Sequence, residues 1–233
     1  MGNFNSFYFF HIPKTIDPVV DVSVIRPLYE KMESKGIDVS LNRRYSDHSF
    51  WRETPAQTYV LCFVRDPMRR AVSEFCYSVD FGELNVERAK SRSINQPNEK
   101  HTLDSFESWM HTFHTPNYQV ASINDGQHDE WFVAAKRLMS VQLACKVESL
   151  NTGINYHEWS NNPLLSLANR VIGDLGLGEE VCHVPLFANC GYYEFFSSHL
   201  FNMLTGSSLF AELQEMNDGD MNLYNQNFYI ALD

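Results

Sequence analysis

The residues best suited to chemistry form two small clusters of cations and hydroxyls, each directly after an apolar run. In the first cluster, Lys14 and Thr15 follow the strand-like run 7–12, and Asp17 and Pro18 then suit the start of a helix. Such a loop can bind an anion, because its N–H groups and the helix dipole point at the ligand while the lysine adds a full charge. The plainer alternative is a core strand that ends in a proline turn and leaves Lys14 in solvent.

The second cluster begins at Arg65, which ends the apolar run 58–64 and precedes a helical pattern opened by Pro67. Arg69 and Ser73 are four residues apart and therefore share a face of that helix. A guanidinium group matches the oxygens of a phosphate with its planar fork of N–H donors. The spacing thus predicts a second anion site at the tip of a second strand.

These stretches resemble the cofactor-binding motifs of sulfotransferases that use 3′-phosphoadenosine 5′-phosphosulfate (PAPS). The 5′-phosphosulfate loop of that family is similar to His11-Ile12-Pro13-Lys14-Thr15, and its 3′-phosphate motif is similar to Arg65-Asp66-Pro67 followed by Arg69 or Arg70, Ser73 and Tyr77. The most similar branch is that of the carbohydrate sulfotransferases, including heparan sulfate 2-O- and 6-O-type enzymes and their bacterial or viral relatives. Weaker likenesses to that branch occur at 117–120, 145–148 and 220–224.

The resemblance implies a role for each matching residue. Lys14 would stabilise the charge that develops on the bridging oxygen of the departing 5′-phosphate. Arg65 and Ser73 would bind the 3′-phosphate, with Arg69 or Arg70 as helpers. Other residues of the first loop would hold the 5′-phosphosulfate, and they are Pro13, Thr15, Ile16 and Asp17. No metal is required in this family.

A histidine between the two motifs often acts as the catalytic base in the family, and His48 is the histidine that fits. Imidazole suits this task because its pKa lies near neutrality. The alternative is a surface-loop histidine without a catalytic role. The implied reaction is in-line transfer of a sulfuryl group from PAPS to a hydroxyl or amine of a small-molecule or carbohydrate acceptor. The product nucleotide is PAP, the 3′,5′-bisphosphate.

The chain departs from the family pattern directly after Thr15. Family members usually continue with Gly-Gly-Thr or Ala-Gly-Thr, whereas this chain has Ile16-Asp17-Pro18. Glycine lets a backbone approach a phosphate, and proline has no N–H to donate. Two further hypotheses therefore stay open, namely a sulfotransferase-like nucleotide-binding protein without catalysis and an ATP-dependent phosphotransferase. ATP has no 3′-phosphate for Arg65 and Ser73, and the sequence suggests no carboxylate for the magnesium ion that ATP would need.

Composition limits the classes of fold and partner. The 233 residues suffice for one α/β domain, and the hydrophobic content of 44% is that of a globular protein. A net charge of −11 argues against nucleic acid and against a heparin-like acceptor, but a local cluster of cations still suits an anionic cofactor. The five cysteines include no C-x-x-C pair, so we expect a reduced, cytoplasmic protein. No apolar run is long enough for a membrane span, and the N-terminus does not resemble a secretory signal.

Few strands separated by helical patterns predict a three-layer α/β fold with a mostly parallel central sheet, and the resemblance implies its P-loop-like form. We expect a single domain over 1–233, because no repeat or linker divides the chain. The segment 117–123 is predicted to be short and extended, and 80–102 to be a mobile excursion that serves as a lid, as an acceptor loop or only as surface. The nine histidines are scattered, so no metal site is predicted. The acceptor and the oligomeric state are not indicated.

Overall fold

A computed structural model of the chain describes residues 4–15, 24–40, 57–79, 101–127, 129–150, 163–178 and 191–230. The predicted site residues Ile16, Asp17 and His48 lie outside these ranges, as does the loop 80–102 up to residue 100. The described chain is α/β, with a three-stranded parallel sheet in the order β1-β2-β3. The strands are β1 (Ser6–Phe10), β2 (Thr58–Val64) and β3 (Leu143–Lys146).

The described helices include the one that the sequence predicts to open at Pro67. The described α-helices are α1 (Arg26–Ser34), α2 (Pro67–Tyr77), α3 (Leu103–Phe113), α4 (Tyr118–Ile123), α5 (Trp131–Met139), α6 (Pro163–Leu175), α7 (Gly191–Thr205), α8 (Leu209–Met216) and α9 (Asp218–Tyr224). A 3₁₀ turn at Val147–Leu150 follows β3. Parallel strands need crossover connections, and most of the described residues between these strands are helical.

The strand ends needed for the predicted site lie side by side. Phe10 at the end of β1 pairs with Cys62, two residues before the end of β2, and Val64 pairs with Lys146 of β3. Every residue of β1 and β2 is buried, which is the burial pattern of a parallel sheet covered on both faces. The carboxyl ends of all three strands therefore meet at one edge of the sheet, where ligands bind in open α/β folds.

Apolar helices cover both faces of the sheet. Successive side chains of a strand point to opposite faces, so Phe7 and Phe9 contribute to one cluster while Tyr8 and Phe10 contribute to another. The first cluster includes side chains of α1 and α6, and the second includes side chains of α4, α5 and α9. A third cluster joins α2 to α3, α7 and α8 beyond the sheet edge. These three clusters fix the position of helix α2 relative to the carboxyl ends of the strands.

The prediction of an extended segment at 117–123 was wrong, because this segment contains the helix α4. A six-residue helix is too short to be stable alone and needs tertiary support. The support comes from the carboxylate of Asp220, which accepts the N–H of Gln119 at 3.0 Å and of Val120 at 2.7 Å. The capping residue Asp220 is 100 residues away from Val120 in sequence, so no local sequence pattern predicts this helix.

Other predictions concern the membrane, the thiols and metals. None of the described helices has the length and apolar character that a membrane crossing requires. Cys62, Cys76 and Cys145 are buried and form no disulfide, whereas Cys182 and Cys190 lie outside the described residues. Burial raises the pKa of the Cys145 thiol to about 12, so this cysteine is an unreactive core residue. Within the described ranges, no group of histidines, cysteines and carboxylates is arranged to hold a metal ion.

Candidate functional site

The first loop is a tight turn closed on its own backbone. The carbonyl oxygen of Ile12 accepts the N–H of Thr15 at 3.1 Å and the Thr15 hydroxyl at 2.6 Å. Pro13 is the second residue of this turn, and Lys14, the third, has a φ of +65°. These are the features of a type II turn, whose third position normally favours glycine. Both Thr15 donors thus close the turn here, and the lysine occupies a strained backbone position.

The second loop begins where β2 ends and is held by an aspartate cap. The Asp66 carboxylate accepts the N–H groups of Met68 at 2.9 Å and Arg69 at 3.0 Å, and Pro67 occupies the first turn of α2. An aspartate followed by proline is a strong signal for a helix start, which explains why the sequence predicts this boundary well. Since Asp66 already satisfies these amides, positive charge at this loop comes from side chains.

The two loops are joined directly at the sheet edge. Nη1 of Arg65 donates a hydrogen bond to the carbonyl oxygen of Lys14 at 3.2 Å. Both side chains are half-buried. The two residues, 51 positions apart, meet because β1 and β2 are parallel neighbours. The two cations predicted from separate motifs therefore belong to one site.

The Lys14 ammonium contacts the helix that follows the second loop. Its Nζ atom lies 3.0 Å from the centroid of the Tyr77 ring, a cation–π contact. Burial lowers the pKa of Lys14 from its ordinary value, the nearby Glu74 carboxylate raises it, and Arg70 lowers it further. Arg70, Ser73, Glu74 and Tyr77 follow the spacing of one helix face. This face of α2 lies against the first loop.

The neighbouring Arg69 and Arg70 have different environments. The Arg69 side chain is exposed, and its guanidinium carbon is 4.4 Å from the Phe201 ring centroid. Arg70 is 1% exposed; its guanidinium carbon is 4.5 Å from the Tyr118 ring centroid, and Nη2 is 3.1 Å from Glu74 Oε2. Among the described residues, none offers the three guanidinium nitrogens of Arg70 a hydrogen bond of suitable geometry. This buried guanidinium is held by its ion pair with Glu74 and by the Tyr118 ring.

Two of the three stretches with the weaker family likeness contact the second loop directly, and the third contacts it through Glu148. The Gln119 side chain accepts the Arg65 N–H and donates to the Arg65 carbonyl, both at 2.9 Å. Glu148 accepts the Asp66 N–H at 2.9 Å through Oε1, and the Tyr224 hydroxyl at 3.0 Å through Oε2. These residues come from α4, from the turn after β3 and from the end of α9. The sequence singled out the stretches but gave no signal for these contacts.

Arg70 also affects the buried groups behind the site. Burial raises the pKa of the Asp220 carboxyl, while Arg70 and the two amides of α4 lower it. Burial also lowers the pKa of His114 to about 4; Arg70 lowers it as well, and a hydrogen bond with Asn217 opposes the shift. A positive charge on Arg70 therefore favours an ionised Asp220 and a neutral His114.

The structure thus brings together part of the predicted site. Lys14 and Arg65 are in direct contact, with Arg70 and Ser73 on the adjoining helix face, whereas Arg69 lies against Phe201. Comparisons of the chain with protein-family models, with curated protein sequences and with solved structures find no match.

Proposed function

We propose that this chain is a PAPS-dependent sulfotransferase that acts on a hydroxyl or amine of a small-molecule or carbohydrate acceptor. The observation that supports this proposal is the contact between Arg65 Nη1 and the Lys14 carbonyl at 3.2 Å. It unites the residues that resemble the 5′-phosphosulfate loop and the 3′-phosphate motif at one sheet edge. The three-layer, P-loop-like arrangement of the family forms part of the proposal, since helices cover both sheet faces.

The side chains fit a nucleotide that has anionic groups at both its 5′ and its 3′ position. Lys14 and Arg65 place positive charge at one sheet edge of a protein whose net charge is −11. Arg70 lies close enough to Lys14 to lower its pKa, which places a third positive charge beside the first loop; its guanidinium is paired with Glu74. We assign the 3′-phosphate to Arg65 and Ser73, with Arg70 as the helper in preference to Arg69. Lys14 and the turn residues Pro13 and Thr15, with Ile16 and Asp17, are assigned to the 5′-phosphosulfate.

PAPS would supply an activated sulfuryl group, whose transfer would break the S–O bond to the 5′-phosphate and form an S–O bond to a hydroxyl acceptor or an S–N bond to an amine. Lys14 would stabilise the negative charge left on the 5′-phosphate oxygen, which is an electrostatic role of the kind that dominates phosphoryl transfer. His48, outside the described residues, would take the acceptor proton. Arg65 and Arg70 contribute by positioning, because a fixed 3′-phosphate fixes the other end of the nucleotide.

One observation favours a second candidate, a sulfotransferase-like nucleotide-binding protein without transfer activity. Both donors of Thr15 are used by the Ile12 carbonyl, and the Lys14 ammonium is held against Tyr77. In this arrangement the first loop offers less to a 5′-phosphosulfate than the second loop offers to a 3′-phosphate. Both candidate proteins would therefore bind PAP, but only the sulfotransferase would transfer the sulfuryl group of PAPS.

Titration calorimetry with PAP, 5′-AMP and ATP tests both candidates. We expect PAP to bind at least tenfold more tightly than 5′-AMP, and Arg65→Ala to remove that preference, since a charge-assisted hydrogen bond contributes about 1.5–3 kcal/mol. Arg170→Ala is the control, because Arg170 is exposed and pairs with Asp174 on α6. Equal binding of PAP and 5′-AMP by the wild type would refute the 3′-phosphate site. ATP binding tighter than PAP would instead indicate a phosphotransferase.

If PAP binds, an acceptor screen with PAPS decides between the candidates. Sulfuryl transfer that is lost in His48→Ala and Lys14→Met, with PAP affinity retained in His48→Ala, would establish the enzyme. Binding of PAPS without transfer to any hydroxyl or amine acceptor would favour the nucleotide-binding protein.

A further inference from the structure

We propose that Gln119, Glu148 and Tyr224 are positioning residues that set the direction of the Arg65 guanidinium and thereby the preference of the site for a 3′-phosphate. This inference rests on the proposed function and adds a second layer of residues to its site. All three act through the Arg65–Asp66 backbone, and none is assigned a contact with the ligand.

The Gln119 side chain binds the backbone of Arg65 just past the end of β2. Its carboxamide oxygen accepts the Arg65 N–H and its amide nitrogen donates to the Arg65 carbonyl, both at 2.9 Å. The side chain thus replaces the peptide of a neighbouring strand just past Val64, the last residue of β2. Gln119 is 1% exposed, so water does not compete for these bonds. Both the N–H and the carbonyl of Arg65 have fixed partners, which restricts its backbone dihedrals.

Gln119 is itself fixed by a buried anion. The Asp220 carboxylate is fully buried and accepts the Gln119 N–H at 3.0 Å. The Asn117 side chain in turn accepts the Asp220 N–H at 3.0 Å. The start of α4 therefore cannot shift without breaking contacts with α9. Gln119 is therefore held rigidly, as a residue that positions a binding group must be.

The next peptide is held by a carboxylate that bridges two elements. Oε1 of Glu148 accepts the Asp66 N–H at 2.9 Å, and Oε2 accepts the Tyr224 hydroxyl at 3.0 Å. Burial, followed by the Glu148 carboxylate, raises the pKa of Tyr224, so the hydroxyl stays protonated as the donor. Tyr224 thereby orients Glu148, and Glu148 orients the Asp66 peptide from which α2 begins.

The backbone contacts of Gln119 and Glu148 affect the selectivity for a 3′-phosphate because Arg65 carries its charge at the end of a long side chain. A small rotation of the Arg65–Asp66 peptide moves the guanidinium by a distance comparable with the tolerance of a phosphate contact, and misplacement by about 1 Å can cost about 100-fold. The 5′ end of a nucleotide does not depend on Arg65 in the proposed assignment. Loss of these backbone contacts should therefore weaken the binding of PAP more than the binding of 5′-AMP.

Tyr224→Phe and Tyr229→Phe form a matched pair for the test. The Lys146 ammonium lies 4.4 Å from the Tyr224 ring centroid and 5.2 Å from the Tyr229 ring centroid, and both substitutions keep the rings. They differ in the hydroxyl removed, since that of Tyr229 donates to the Leu223 carbonyl at 2.9 Å and not to Glu148. Calorimetry with PAP and 5′-AMP gives the ratio of the two dissociation constants for each variant. A purely structural role would lower the melting temperature but leave this ratio unchanged.

We expect Tyr224→Phe to reduce the preference for PAP over 5′-AMP by about three- to tenfold, and Tyr229→Phe to leave it unchanged. If the wild type prefers PAP and Tyr224→Phe keeps the full preference, the inference is wrong while the proposed function stands. If the wild type shows no preference for PAP, the proposed function has failed, and the selectivity part of the inference fails with it.

Amide hydrogen exchange of Asp66, measured by NMR without ligand, decides the positioning part in every case. The Asp66 N–H should exchange several-fold faster in Tyr224→Phe than in wild type or Tyr229→Phe, because its acceptor Glu148 loses its own partner. Equal exchange rates in the three proteins would overturn the positioning role whatever the nucleotide data show.

Discussion

The ammonium group of Lys14 lies 3.0 Å from the centroid of the Tyr77 ring, while the Lys14 backbone has a φ of +65°. The backbone conformation costs a non-glycine residue about 1 kcal/mol, and a half-exposed cation–π contact offsets about 0.5–1 kcal/mol of it. A turn under selection for stability alone would carry glycine at this position. The lysine therefore fits a site where its charge is needed, as strained residues at functional loops often do.

The strain at Lys14 predicts an unusual order of stability among its variants. Lys14→Gly relaxes the backbone and loses the contact with Tyr77, so its free energy of unfolding should lie within about 1 kcal/mol of the wild type. Lys14→Ala loses the contact but keeps the strain, and it should be about 1 kcal/mol less stable than Lys14→Gly. Urea unfolding of the three proteins measures these differences. An alanine variant as stable as the glycine variant would contradict the left-handed conformation.

The two neighbouring arginines should differ in their effect on nucleotide binding. Arg70→Met removes a buried guanidinium that is paired with Glu74 and lies beside Lys14, and we expect a loss of PAP affinity of about tenfold or more, the value of one or two charge-assisted hydrogen bonds. Arg69→Met removes an exposed guanidinium that lies over Phe201, and the affinity should change by less than about twofold. Calorimetry with PAP on both variants, after circular dichroism confirms their helix content, provides the comparison. Equal losses would contradict the assignment of Arg70.

The sequence predicted those parts of the site whose position follows from local signals and from parallel pairing. Asp66 and Pro67 mark the start of α2, and two apolar runs of strand type lead to Lys14 and Arg65. Because parallel strands end at the same sheet edge, the convergence of these two residues could be expected before any coordinates.

The rest of the site depends on contacts between distant residues. Asp220 caps α4 across 100 positions, and Glu148 reaches Asp66 across 82. No propensity scale contains such a contact, and without it 117–123 lacks the length of a stable helix. The backbone conformation of Lys14 could not be predicted from the sequence either, because a lysine after a proline has no local preference for positive φ.

Asp220 should contribute more to stability than its neighbour on the same helix. In Asp220→Asn a single carbonyl oxygen replaces two carboxylate oxygens, and its NH₂ group faces an N–H of α4 that then has no acceptor. We expect a loss of about 2–3 kcal/mol in the free energy of unfolding, typical of an unsatisfied buried donor plus a lost cap. Asp218→Asn is the control, because Asp218 is exposed, and it should change stability by less than about 0.5 kcal/mol. Urea denaturation compares both, and similar losses would argue against the capping role.

His114 should make the protein less stable in mild acid. Burial is the main cause that lowers the pKa of this histidine from 6.5 to about 4 in the folded state. Between these two values the unfolded chain binds a proton at His114 while the folded protein does not, so stability rises with pH across this window and is lost as the pH falls. The full shift corresponds to about 3 kcal/mol between pH 7 and pH 4.

Urea unfolding of wild type and His114→Gln at several values of pH between 7 and 4 measures this contribution. Glutamine keeps a polar side chain near Asn217 but does not titrate, so the variant should be less stable at pH 7 and should lose less stability on acidification. His111→Gln is the matched control on the same helix, because the His111 ring is 49% exposed and pairs only loosely with Glu212 at 3.6 Å. It should follow the wild-type curve. A pH dependence that survives in His114→Gln would show that other groups cause the acid sensitivity.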